Sequence, residues 1–294
     1  MLIHLGLRPR SDLPKSLGMA GESGDLVVYE TKNGVATLRM NKPERLNGWT
    51  MPMQKGLGEA LARAAQDDGI GAVVLTGTGK YYSAGADLGG SFKLDHPRKL
   101  HAQIEAGNYE LFDHFIQFPK PILAAVNGPA IGAPVTTGVL CDAILASDKA
   151  TFLTPFAKVG VVPEGCSSVL WPRIYGDETA QRMLGPEGWR PTAAEAQAFG
   201  MVTKVVAHDQ LMDEAQSTAE GWIAEGRTRT LPGGATKAEL ESINRDESKG
   251  VADAFLSSPF LMNQYRFFWS RKKHAPALTF LALRLSRPAW SLML

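Results

Sequence analysis

The chain is poor in cysteine, has almost no net charge, and lacks an unbroken apolar run that reads as a membrane span. Cys141 and Cys166 are the only 2 cysteines in 294 residues. That is too few for a disulfide framework, and the scarcity favours a reducing compartment. The 6 histidines show no metal-ligand spacing and no Cys-His cluster occurs, so no metal site is expected. Lysine and arginine total 31 against 30 aspartates and glutamates. With the signs mixed and no basic stripe interleaved with aromatics, nucleic acid is a poor partner. The uncharged stretch 121–141 is long enough to cross a bilayer, but Asn127, Gly128, Pro129, Gly132 and Pro134 interrupt it, and no transmembrane segment is expected. The densest basic run, Arg271-Lys272-Lys273, is short. It reads as a solvated helix end or as a contact for a phosphate-bearing ligand.

What the chain does have is apolar content, 44% of its residues, enough for a full core in one large domain or one domain with a smaller lobe. Leu26–Thr31 and Val35–Met40 flank the hairpin signal Lys32-Asn33-Gly34. Thr50 caps a helix whose apolar positions Met53, Leu57, Ala60, Leu61 and Ala64 recur at helical spacing. Ala72–Thr76, Ile122–Val126 and Ala143–Ser147 read as buried strands, with Thr151–Leu153 a short partner. Pro97–Gln117 and Ile131–Leu140 read as helices. The repeated order of strand, loop and helix indicates an α/β domain with parallel pairing. After Val202–Val206 the pattern turns helical, with separate helices expected over 209–225, 237–246 and 250–256, and the clearest linker at Leu231-Pro232-Gly233-Gly234. The apolar tail 275–294, interrupted by Arg284 and Arg287, suits packing on the body, on a neighbouring subunit or on a membrane surface. Three regions follow: an N-terminal extension 1–25, a core 26–208 and a C-terminal helical region 209–294. Arg8, Arg10 and Lys15 in the extension fit an organelle leader or a loose terminus.

Three segments carry chemistry. Glu164 lies between Pro163 and Gly165 in a run that reads as a loop entering a helix. Burial against valines would raise its carboxyl pKa towards the range of a proton shuttle. A helix N-terminus would pull the other way, and helix electrostatics alone is a sufficient reason for an acid there. The loops Tyr81–Leu88 and Val126–Pro134 each follow a buried strand and present backbone N–H groups among small side chains. Two such groups aimed at one point make an oxyanion hole; tight strand-to-helix packing is the alternative for each.

Taken in order, these segments resemble the crotonase, or enoyl-CoA hydratase/isomerase, superfamily from about Val28 to Val206. The resemblance includes Asn41-Lys42-Pro43-Glu44-Arg45-Leu46-Asn47, Ser83-Ala84-Gly85-Ala86-Asp87-Leu88, Pro119-Lys120-Pro121-Ile122, Val126-Asn127-Gly128, Cys141-Asp142 and Ala193-Ala194-Glu195-Ala196. It implies a spiral of strand-strand-helix repeats, acyl-CoA thioester substrates, C-terminal helices that build a homotrimer, and no cofactor apart from the coenzyme A of the substrate. The N–H groups of Ala86 and Ala133 fall where the family polarises the thioester oxygen. Arg45, Leu46, Ser83, Ala84, Gly85, Asp87 and Leu88 fall where it holds coenzyme A.

The two glutamates that hydratases of this family use fall at Thr136 and Phe156, neither of which transfers a proton at pH 7. The remaining acid, Glu164 in Pro-Glu-Gly-Cys-Ser-Ser, resembles the Δ3,Δ2-enoyl-CoA isomerases, especially the peroxisomal type, as do Tyr81-Tyr82-Ser83 and Phe156. The implied reaction uses Glu164 as a single acid/base, with Phe156, Val161 and Val162 walling the acyl pocket. Another crotonase reaction (hydration, dienoyl-CoA isomerisation or thioester hydrolysis) and non-catalytic acyl-CoA binding are the alternatives. A mitochondrial or peroxisomal matrix location goes with the resemblance. Related peroxisomal isomerases end near a run like Ser270-Arg271-Lys272, whereas this chain continues to Leu292-Met293-Leu294.

Overall fold

The computed structural model describes residues 26–86 and 95–293. The extension 1–25, together with Asp87, Leu88 and Leu294, lies outside the described residues. β1 (Val27–Lys32) and β2 (Val35–Met40) form an antiparallel hairpin, closed by Asn33 and Gly34 in left-handed conformation. Every later neighbour in that sheet is parallel: β3 (Ala72–Gly77), β4 (Ile122–Val126), β6 (Ala143–Ser147) and β8 (Lys204–Val206) follow β2 in chain order.

A second ladder runs beside the first. β5 (Ala130–Ile131) pairs in parallel with β7 (Phe152–Leu153), and single bridges join Trp49 to Ala86, Ser83 to Ala130 and Thr151 to Thr192. Successive turns of the chain thus give a strand to the large sheet and a short stretch to this ladder. Helices close the turns: α1 (Met51–Gln66), α2 (Pro97–Gln117), α3 (Ala133–Leu140), α4 (Phe156–Val159), α5 (Ser167–Tyr175), α6 (Asp177–Leu184) and α7 (Ala193–Ala198). This is the expected strand-strand-helix spiral. The Thr50 hydroxyl caps α1 by accepting the Met53 N–H at 3.3 Å. Thr192 and Glu195 form a reciprocal capping box on α7, so that part of the family-like pattern serves local structure.

The inner strands β2, β3, β4 and β6 are mostly apolar on both faces because both are covered. Leu38, Met40, Val73, Leu75, Ala124, Val126 and Ile144 belong to the cluster that includes α1, α2 and α3. The alternate residues Val35, Ala72, Val74, Leu123, Ala125 and Leu145 pack against Leu211, Ala215, Ala219 and Trp222 of α8 (Leu211–Ala224). The chain ends in α9 (Lys237–Phe255), α10 (Ser258–Ser270) and α11 (His274–Trp290), with Phe260, Leu261, Phe268, Ala277 and Phe280 forming a separate cluster in the last two. Among the described residues no helix is long and apolar enough to cross a membrane.

Two expectations need correction. The two helices predicted over 237–246 and 250–256 are one, α9. Gly250 lowers helix propensity by about 1 kcal/mol, yet its missing side chain admits Val162, whose Cγ2 stands 3.2 Å from where a Cβ would be. The helix predicted over Ile131–Leu140 begins only at Ala133. Ile131 is in the short ladder, and Gly132 at φ 70 turns the chain between the two. The expected linker at Leu231–Gly234 does lie between α8 and α9, and it is packed: Pro232–Gly234 is a 3-10 turn, a Cβ on Gly233 would sit 3.1 Å from Ile174 of α5, and Leu231 packs on the main core.

Candidate active site

The two glycine-bearing loops are stitched together through backbone. Ile131 donates its N–H to the Ser83 carbonyl at 3.0 Å, and a Cβ on Gly85 would stand 2.4 Å from the Ile131 carbonyl oxygen. Only glycine permits that approach, and at φ 81 only glycine adopts the conformation without strain. Ala86, which follows Gly85, and Ala133, two residues after Ile131, therefore flank the point where the two segments meet. Ala133 is the first residue of α3, where a backbone N–H has no intrahelical acceptor. It is 5% exposed, and Ala86 is exposed.

Two buried asparagine side chains fix these loops from behind. Asn47 donates to the carbonyls of Thr78 at 2.9 Å and Tyr81 at 2.8 Å and accepts the Lys42 N–H at 2.9 Å. Asn127 donates to the Gly79 carbonyl at 2.8 Å and accepts the Gly77 N–H at 3.1 Å. Ser83 is buried with its hydroxyl donated to the Asn47 carbonyl at 2.7 Å, so its side chain holds the loop. Ala84 donates its N–H to the Leu46 carbonyl at 2.9 Å. Arg45 and Leu46 are exposed beside it.

Glu164 follows α4 on the next turn of the spiral. A Cβ on Gly165 would meet the Phe112 ring at 2.6 Å and the Thr136 hydroxyl at 2.7 Å, so this loop rests on α2 and on α3 one turn beyond Ala133. Burial pushes the Glu164 carboxyl up to about 7. The hydrogen bond from Asn108 opposes that rise, and the charge of Glu247 adds to it. Asn108 Nδ2 donates to Glu164 Oε2 at 2.7 Å. Asn108 Oδ1 in turn accepts the Ser248 hydroxyl at 2.9 Å. The Thr136 hydroxyl is buried and donated to the Ala133 carbonyl at 3.1 Å, and Phe156 is 3% exposed. Neither position that resembles a hydratase acid supplies one.

Of the three residues expected to wall the acyl pocket, only Phe156 is buried. Val161 packs on the cluster of α10 and α11, and Val162 is 37% exposed beside Gly250. Their side chains follow the C-terminal helices rather than the turn that carries Glu164. The sequence reading missed Asn108, Glu247 and Ser248. The signal was present: Asn108 interrupts the stripe Ile104, Leu111, Phe115 of α2, and Asn244 and Glu247 interrupt Leu240 and Val251 of α9. A polar residue inside an apolar stripe has a partner. Among the described residues no group of three or more His, Cys, Asp or Glu side chains gathers to hold a metal.

A helix-covered, mostly parallel sheet with a second short ladder, two loops joined through Ser83 and Ile131, and a half-buried acid on the turn that rests against α3 define a crotonase-type protein. The chain belongs to the enoyl-CoA hydratase/isomerase family, whose profile matches residues 30–238. It is 36% identical to enoyl-CoA delta isomerase 2 of Rattus norvegicus over 79% of this chain and 57% of that protein. It is 39% identical to the peroxisomal enoyl-CoA delta isomerase 3 of Mus musculus over 63% of this chain and 58% of that protein. The chain thus spans little more than half the length of these isomerases. The crystal structure of an enoyl-CoA hydratase/isomerase from Pseudoalteromonas atlantica T6c superimposes with a TM-score of 0.72 at 29% identity, covering 83% of this chain and 97% of that one.

Proposed function

We propose that the chain is a Δ3,Δ2-enoyl-CoA isomerase with Glu164 as its single acid/base. The observation that carries this reading is a carboxyl held near 7 by burial, while Thr136 and Phe156 leave the other expected acid positions without a proton carrier. Glu164 takes a proton from C2 of a 3-enoyl thioester. The electron pair moves through the C3=C4 bond and the thioester oxygen as a dienolate, and the N–H groups of Ala86 and Ala133 stabilise that oxygen. Glu164 returns the proton to C4, leaving C2=C3. No water enters and no redox partner is needed. A carboxyl pKa near the working pH suits both halves of the transfer.

Hydration needs a second acid free to handle water. Glu247 is the other buried carboxylate nearby, but both its oxygens accept hydrogen bonds from Cys166 and Ser168. In this reading Arg45, Leu46, Ala84, Asp87 and Leu88 serve coenzyme A, Ser83 and Gly85 shape the same loop, and the C-terminal helices assemble a homotrimer. A peroxisomal or mitochondrial matrix location fits the reading, and the mouse relative is named as peroxisomal.

The test is a pair of assays, trans-3-hexenoyl-CoA followed by formation of the conjugated thioester and trans-2-hexenoyl-CoA followed by its hydration. Isomerisation that disappears in Glu164→Gln, with negligible hydration, supports the proposal. Dominant hydration assigns the site to water activation instead, and turnover of neither with the ester still bound makes the chain a binding protein.

A further inference from the structure

Glu164 is followed by two left-handed residues, Gly165 at φ 68 and Cys166 at φ 63. Glycine adopts that conformation freely, whereas a cysteine does so only when its surroundings hold it. α5 starts immediately afterwards with no cap from the Cys166 side chain, although the first N–H groups of a helix require acceptors. The acceptor comes from α9. Glu247, 7% exposed, takes the Cys166 N–H on Oε2 at 2.6 Å, and on Oε1 the Ser168 N–H at 2.8 Å and the Ser168 hydroxyl at 2.5 Å. The next residue of α9, Ser248, holds Asn108, which holds the Glu164 carboxylate. One helix therefore grips the acid twice, by the turn behind it and through its carboxylate partner.

We propose that Glu247 is a positioning residue for Glu164, fixing the turn that orients it and facing it with a second acidic group. This rests on the reading of Glu164 as the acid/base. The titratable groups facing Glu247 are Glu164 and the thiol of Cys166. The one cation of α5, Arg173, is bound by Glu239 at 2.6 Å, and His101 of α2 by Asp253 at 2.8 Å. Burial pushes Glu247 up to about 7, with its hydrogen bonds to Ser168 and Cys166 opposing the rise. Its negative charge disfavours ionisation of Glu164.

The experiment compares wild type, Glu247→Gln, Glu247→Asp and Glu164→Gln for isomerisation of trans-3-hexenoyl-CoA across pH, with thermal melts alongside. Activity rises with pH as the base ionises. Removing the charge in Glu247→Gln lets Glu164 ionise more readily, so the rising limb moves to lower pH. Mispositioning lowers kcat by about 10- to 100-fold with little change in KM. Glu247→Asp keeps the charge but retracts the acceptor, so its kcat falls while the limb stays in place. If Glu247→Gln does not fold, the loss of kcat in Glu247→Asp alone decides the matter. Lower melting temperatures with wild-type kcat and limb position make Glu247 a structural cap and overturn the proposal. If Glu164→Gln retains isomerisation, the reading of Glu164 fails first, and that outcome is distinct from an inactive Glu164→Gln beside an unaffected Glu247 variant.

Discussion

Asn108 Nδ2 stands 2.7 Å from Oε2 of Glu164, donating into a carboxylate that burial drives towards its neutral form. The two effects oppose one another, and burial prevails, leaving the group at about 7. Asn108→Ala removes the interaction that favours the charged form. The rising limb of the pH–kcat profile is expected to move to higher pH, with kcat at pH 7 about 10-fold lower. A limb that stays in place would show that the bond has no hold on the titration.

The same burial has a signature in stability. A carboxyl whose folded-state pKa is raised binds its proton more tightly in the folded state, so its contribution weakens as pH rises from 4.5 towards 7. Above that window the folded protein holds a poorly solvated charge. Glu164→Gln is therefore expected to be more stable than wild type at pH 8, on the order of 2–3 kcal/mol. The gap should close below pH 4.5, the ordinary value of the group. Urea unfolding at both pH values measures it, and a gap independent of pH would contradict the assignment.

Gly85→Ala places a methyl 2.4 Å from the Ile131 carbonyl oxygen at a φ of 81. The loops of Ala86 and Ala133 must then separate. If their N–H groups polarise the thioester, kcat falls by about 100-fold or more, the effect of losing one oxyanion donor. Melting curves on the same sample separate this from unfolding, and a folded variant with full activity would remove both alanines from the mechanism.

The Asp142–Arg229 pair tests a part of the family-like pattern with no place in the chemistry. Its side chains are 0% and 6% exposed and meet at 2.6 Å, and Asp142 also accepts the N–H groups of Ile122 and Thr230. Asp142→Ala leaves a buried guanidinium without its carboxylate and is expected to cost about 3–5 kcal/mol. Denaturant titration measures that loss, and the molecules that remain folded should keep wild-type kcat.

Much of the fold was legible because each element carries its own period. Strands buried on both faces, such as Ala72–Gly77, are short apolar runs, and α1 and α2 repeat their apolar residues at helical spacing. Glu164 was legible too, since an acid between proline and glycine stands out locally. Its supports were not. Asn108 reaches it across 56 residues, Glu247 reaches Cys166 across 81, and Ser248 reaches Asn108 across 140. No local pattern records such pairings, and the expected break in α9 placed Glu247 in a supposed gap. Ser83 shows the converse: its motif stands out locally, while its hydrogen bonds to the Asn47 carbonyl and from the Gly85 N–H are visible only in the fold.

The separation of 140 residues between Ser248 and Asn108 also sets an order of events. A chain leaving the ribosome can pair β1 through β6 and present Glu164 well before α9 has been made. Until that helix docks, the turn at Gly165-Cys166 has no acceptor and Asn108 no anchor. Most of the sheet can therefore form while its acid is still unaimed, so competence arrives with α9 rather than with the strands.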